Sequence, residues 1–145
     1  MLAIVKSMAL EGVEGYLIEV QTDITNGIPS FGIVGLPDIS IKEAKERVRA
    51  ALKNCNLFFP NRKILVNLAP ADTRKEGTCF DLPIAISVLL ASGTLGRIKM
   101  PNFEQTVFLG ELSLDGKVNQ VKGILPMCIE ARNLGIIRAI VPKAN

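Results

Sequence analysis

Short apolar runs rich in β-branched residues open the chain, and apolar positions at helical spacing follow them. Leu2-Ala3-Ile4-Val5 and Tyr16-Leu17-Ile18-Glu19-Val20 read as two hairpin-like strands separated by Glu11-Gly12-Val13-Glu14-Gly15, whose glycines favour a turn. A third strand, Ser30 to Val34, follows the Asn26-Gly27 turn signal and is broken by Gly35-Leu36-Pro37. Ser40-Ile41-Lys42-Glu43 has the form of a capping box, and Ile41, Ala44, Val48, Ala51, Leu52 and Cys55 then recur on one face, which predicts an amphipathic helix. Lys63 to Leu68 predicts the next strand. From about Asp81, as N-cap, to Ala91 the chain reads as a helix apolar nearly all round, ended by Ser92-Gly93 and buried across the sheet. Val107-Phe108-Leu109 and Ser113-Leu114 read as strand, with Asp115-Gly116 as a tight hairpin tip before Lys117 to Val121. A last helix runs from about Leu125, with Pro126 in its first turn, to Gly135, and Ile136 to Val141 closes the series as a strand. This order describes an α+β sandwich, helices packed on a mixed sheet.

With 145 residues and 48% hydrophobic content, the chain can bury one sizeable core and is too short for two ordinary domains, so residues 1–145 are expected to form a single domain. Histidine is absent, which excludes Ser-His-Asp and Cys-His catalysis and every histidine-ligated metal site within this chain. The acidic residues are scattered singly, so no metal or other cofactor is expected here. Cys55, Cys79 and Cys128 lack the close spacing of a zinc or redox motif and read as reduced thiols of a cytoplasmic protein. The start of the chain lacks the layout of a signal peptide, and no segment has the ~18 apolar residues of a membrane span, so no membrane partner is expected.

The net charge of +3 conceals an asymmetry. Residues 1–41 carry one basic and five acidic side chains, residues 42–75 nine and three, and residues 76–145 seven and six. Lys42, Lys45, Arg49 and Lys53 fall three and four apart and so form one helix edge. Together with Arg62, Lys63, Arg74 and Lys75 they are the candidate nucleic-acid contacts. A solvated helix face and turn is the alternative. Of the one tyrosine and six phenylalanines none is read as interleaved with these charges, so no stacking platform is expected and any binding is mostly to phosphate.

Two segments invite a chemical reading. Gly110 to Val118 fails as a phosphate loop, because five residues separate Gly110 from Gly116 and Val118 stands where a magnesium-binding hydroxyl belongs. Cys79 lies two residues before Asp81, at a predicted helix start that favours a thiolate, with Lys75 four residues away as a base. The alternative for Cys79 is a small apolar side chain tucked under a turn.

Three motifs in order carry a resemblance that covers essentially the whole chain. Phe31 to Asp38, Val66 to Asp72 with Lys75-Glu76-Gly77 and Phe80 to Ala85, and Leu109 to Gly116 resemble the N-terminal domain of the bacterial magnesium-chelatase-like AAA+ ATPases, the ComM/YifB competence-protein family. The resemblance implies a fragment, with an ATPase module that binds ATP and magnesium resuming after Ile140 to Asn145. More distantly the chain is similar to the proteolytic domain of Lon proteases, which implies a Lon-like fold shared with a ribosomal-protein domain. Laying the Lon pattern Lys-Asp-Gly-Pro-Ser on Lys75 to Cys79 puts the nucleophile at Cys79, and laying Gly-Glu-Ile-Thr-Leu on Gly110 to Leu114 puts the catalytic lysine at Leu125. Leucine takes no proton, and neither Lys75 nor Lys122 occupies the matching position, so the resemblance implies the scaffold without the peptidase.

The family resemblance implies a noncatalytic domain that serves assembly, and DNA contact, in a hexameric recombination motor; its partners are its own ATPase module, further copies and DNA. A Lon-like peptidase using Cys79 with a displaced lysine is the alternative, and a structural domain without ligand is the third reading.

Overall fold

The computed structural model describes residues 1–96 and 100–145. Eleven regular elements follow one another: β1 (Leu2–Glu11), β2 (Glu14–Thr25), β3 (Ser30–Val34), α1 (Ile39–Asn54), β4 (Lys63–Ala69), α2 (Asp81–Ser92), β5 (Thr106–Phe108), β6 (Glu111–Leu112), β7 (Val118–Asn119), α3 (Ile124–Asn133) and β8 (Arg138–Ile140), with one 3₁₀ turn at Phe103–Gln105. Six strands form one sheet in the order β3-β4-β2-β1-β5-β8. The β1–β2 and β2–β4 pairs are antiparallel, while β3–β4, β1–β5 and β5–β8 are parallel, so the sheet is mixed as expected.

Alternation along β2 decides which face holds the core. Ile18, Val20, Thr22 and Ile24 are buried, whereas Glu19 and Gln21 are only half-buried and Asp23 is exposed. The buried face meets the helices: Thr22 Oγ1 and Ser87 Oγ of α2 lie 2.6 Å apart in a buried hydrogen bond. Ile84, Val88 and Ala91 of α2 and Ala44, Val48 and Ala51 of α1 join the same core cluster. Each fully buried large aliphatic side chain in this layer contributes ~1.5–3 kcal/mol.

Local detail departs from the sequence reading in four places. The hairpin strands are longer than their apolar runs, because Glu11 pairs with Glu14 and only Gly12-Val13 connects them, with Gly12 at φ 65°. The N-cap of α1 is Asp38 rather than Ser40: its Oδ1 accepts from Ile41 N at 2.9 Å. Asp81 is no N-cap; Phe80 holds that position without a side-chain bond, and the Asp81 carboxylate is engaged elsewhere. Ser113-Leu114 lies in a turn rather than a strand, since Ser113 N donates to Lys117 O and the two-residue strands β6 and β7 pair separately from the main sheet. The glycine stops at Gly93 and Gly135 are both left-handed, with φ 77° and 87°.

Candidate functional site

The motif segments singled out in the sequence meet one another in space. Gly35 follows β3 with φ 102°, and a side chain there would collide with the Leu68 backbone of β4, which only glycine avoids. The chain then runs beside the segment after β4: Lys75 N donates to Leu36 O at 3.1 Å and Asp38 N to Lys75 O at 3.0 Å. Asp38 closes the junction, because its Oδ2 accepts from Gly77 N at 3.0 Å while its Oδ1 caps α1. On the other side, Gly110 N donates to Cys79 O at 2.9 Å and Leu82 N to Gly110 O at 3.0 Å. Residues 75–82 are thus held from both flanks by backbone bonds.

Cys79 sits at the floor of a cleft of about 660 Å³ whose wall includes Asp38, Glu76, Gly77, Glu111, Lys122 and Met127. Its position two residues before α2 is the one the sequence predicts. Of the two readings of Cys79, the structure supports the small side chain tucked under a turn and not the favoured thiolate. Burial, seconded by the Asp81 carboxylate, pushes the thiol up to about 12, so it stays protonated at neutral pH. The anticipated help from the helix start is outweighed because two carboxylates, Asp81 and Asp38, raise it further.

Lys75, the base the sequence offered for Cys79, is not placed to serve it. Lys75 is 1% exposed, and its Nζ donates to Gly35 O and to Pro70 O. Desolvation lowers its pKa, partly opposed by Asp72, yet the ammonium binds two carbonyls and is no base for the thiol. Leu125, at the position laid on the Lon lysine, is 70% exposed and does not line the cleft. Lys122, three residues earlier, does.

Beneath the cleft lies a pair that sequence reasoning missed. Arg47 of α1 donates from Nε to Asp81 Oδ2 at 2.6 Å, from Nη2 to Asp81 Oδ1 at 3.0 Å, and again from Nη2 to Ser40 O at 2.7 Å. Asp81 Oδ2 also accepts from Leu112 N at 3.1 Å, tying α1, α2 and β6 together. Burial raises the Asp81 carboxyl above its ordinary range, opposed by Arg47 and the Leu112 amide, while the bond to Asp81 raises the Arg47 guanidinium. The signal was present: Arg47 stands three after Ala44 and four before Ala51, on the apolar face rather than the basic edge.

The basic residues do not form one surface. Lys42, Lys53, Lys63 and Arg74 are exposed, Lys45, Arg49 and Arg62 are half-buried, and Lys75 is buried, away from any phosphate. Arg49, Lys53 and Arg62 converge around a small concavity with Phe59, whereas Arg74 lies beyond the far end of β4 and makes an exposed ion pair with Glu76 at 3.6 Å. Arg49 lies 5.3 Å over the Phe59 ring, so an aromatic does stand among the charges, contrary to the sequence reading. Gly110 to Val118 is a hairpin whose Gly116 N donates to Ser113 O at 2.9 Å, not an anion loop. Among the described residues no group of three or more Cys, Asp or Glu side chains fits a metal ion, and no helix is long and apolar enough to cross a membrane.

The family model described as subunit ChlI of Mg-chelatase matches residues 20–145. The chain is 46% identical over 131 residues to the competence protein ComM of Haemophilus influenzae, covering 90% of this chain and 25% of that protein. To the YifB protein of Escherichia coli it is 42% identical over 144 residues, 99% of this chain and 28% of that protein. Lon protease 1 of Borreliella burgdorferi is 31% identical over 98 residues, 68% of this chain and 12% of the protease, in keeping with the Lon-like α+β fold. The chain therefore spans about a quarter of the length of the ComM and YifB proteins. It belongs to the family of subunit ChlI of Mg-chelatase, as a domain of the ComM/YifB type.

Proposed function

We propose that this chain is a noncatalytic domain of a Mg-chelatase-like ATPase, serving assembly of a hexameric motor and contact with DNA. The observation that carries the noncatalytic half is the state of the cleft: Cys79 is buried with its thiol pushed up to about 12, Lys75 is bound to carbonyls, and a leucine holds the position of the base. Residues of the motifs bind one another instead of leaving groups free for a substrate, so the cleft acts as a joint between β3, β4, α2 and the β6–β7 hairpin.

The DNA half rests on charge. Seven of the eight candidate cations, Lys75 excepted, reach the surface at least in part, within a stretch holding nine basic and three acidic side chains. A few phosphate contacts give nonspecific dissociation constants of only ~10⁻⁴ to 10⁻⁶ M at physiological salt. Six copies in a ring multiply that weak contact through effective concentration. ATP and magnesium are assigned to an ATPase module outside this chain, and three free cysteines suit a cytoplasmic setting.

Two assays test the reading. Incubation with an unfolded protein substrate is expected to give no cleavage; cleavage that disappears on Cys79→Ala would revive the peptidase with Lys122 as base. A labelled 20-base-pair duplex is expected to bind weakly at low salt, and absence of binding in an assay sensitive to millimolar affinity would leave assembly as the sole role.

A further inference from the structure

The C-terminal half of α1 and the connection into β4 enclose a second concavity, of about 260 Å³, lined by Ser30, Arg49, Lys53, Phe59 and Arg62 among others and by no carboxylate. Among the described residues none of these three cations takes part in an ion pair. The Nε atoms of Arg49 and Arg62 are both buried without a hydrogen-bond partner. Three like charges converging in a recess repel one another and lack the donors' acceptors, so the recess is built for an anion. Its geometry is fixed: the Arg49 guanidinium lies 5.3 Å over the Phe59 ring, which in turn packs on Phe31 with centroids 5.7 Å apart. Planar guanidinium forks fit the oxygens of a phosphate.

Exposed apolar side chains neighbour the wall residues along the chain. Phe58, one residue from the wall residue Phe59, is 65% exposed, and Ile28, one residue from the wall residue Pro29, is 87% exposed. An exposed aromatic one residue from the wall of a phosphate recess has no counterpart on a duplex, whose bases are stacked inside, but is free to meet the unstacked base of a single strand.

We infer that this recess is a clamp for one phosphate of a single-stranded nucleic acid, with Phe58 stacking on the adjoining base. The inference rests on the DNA-contact reading above and narrows it to a strand type and a site. The test is fluorescence anisotropy with labelled oligo-dT of 12 nucleotides and a 12-base-pair duplex, for the wild type, Phe58→Ala and Lys53→Gln, both exposed positions that leave the core intact. Phe58→Ala is expected to weaken oligo-dT binding about tenfold while leaving the duplex within about twofold. Lys53→Gln is expected to weaken both and to reduce the salt slope on oligo-dT by about 0.7. If neither probe binds at low salt, the clamp and the DNA reading fall together. If both probes bind and Phe58→Ala changes neither, the clamp alone is overturned.

Discussion

Arg47 and Asp81 stand 34 residues apart in sequence and form a two-toothed ion pair, 2.6 and 3.0 Å, with the carboxylate 1% exposed. The pair joins α1 to the start of α2 directly below Cys79, and Leu112 N extends it to β6. Removing one partner leaves the other buried and uncompensated. Arg47→Met is expected to cost about 3–5 kcal/mol, whereas Arg47→Met/Asp81→Leu costs less than the single change because no charge is stranded. Urea unfolding of the three proteins checks the order; equal loss in single and double variants would show that the pair contributes only packing.

The three thiols differ in reach: Cys55 is exposed, Cys128 half-buried and Cys79 buried. Burial raises Cys128 as well as Cys79. With iodoacetamide at pH 8, mass spectrometry is expected to find Cys55 modified first and Cys79 only on unfolding, because the thiolate is the reacting form. Early modification of Cys79 would contradict the buried, protonated thiol.

Cys79 also sets a pH dependence. Its folded value of about 12 lies above the ordinary 9.0, so the folded state holds this proton more tightly than the unfolded chain does. Stability from this group is intact below pH about 9 and declines as pH rises toward about 12, since the unfolded state alone can release the proton in that window. Cys79→Ala is expected to remove that part of the alkaline slope. Thermal midpoints of both proteins between pH 8 and 11 decide it; parallel curves would refute the shift.

Lys75 and Arg74 are neighbours with opposite fates. Lys75→Met deprives Gly35 O and Pro70 O of their buried donor and is expected to cost about 2–5 kcal/mol. Arg74→Ala removes an ion pair 72% exposed on both sides and is expected to stay within about 0.5 kcal/mol. Denaturant midpoints check this; equal effects would mean that Lys75 is a surface residue.

What the sequence made legible follows from the range of the interactions. The strand runs, the apolar face of α1, the Asp115-Gly116 hairpin and the glycine stops are local signals, and the elements they mark are present, although the hairpin strand expected at Ser113-Leu114 is Glu111–Leu112 and the last strand is only Arg138–Ile140. The caps escape the local pattern because partners distant in sequence claim the side chains at both helix starts. Ser40 fits a capping box, but Asp38 also receives Gly77 N from 39 residues away, a bond no local pattern contains. Asp81 opens a helix in sequence, but Arg47 draws its carboxylate into the core. Cys79 was legible in position, while the choice between its two readings, reactive thiolate or inert buried side chain, is decided by burial and by carboxylates brought in by folding. Phe59 looked separate from the basic edge in sequence, and the turn after α1 folds it under Arg49.

The proposed functional surface of this domain is its cationic side chains and not the Cys79 cleft. The most direct test is the salt dependence of binding to a labelled oligonucleotide between 20 and 200 mM salt, wild type against Lys42→Glu/Lys53→Glu and against Cys79→Ala. Both lysines are exposed, so the charge reversal leaves the core untouched. A linear fall of log affinity with log salt is expected in the wild type, with a shallower slope and at least about tenfold weaker binding in the double variant, and no change for Cys79→Ala. Binding that is undetectable in the wild type at 20 mM salt, or unaltered by the charge reversals, would contradict it.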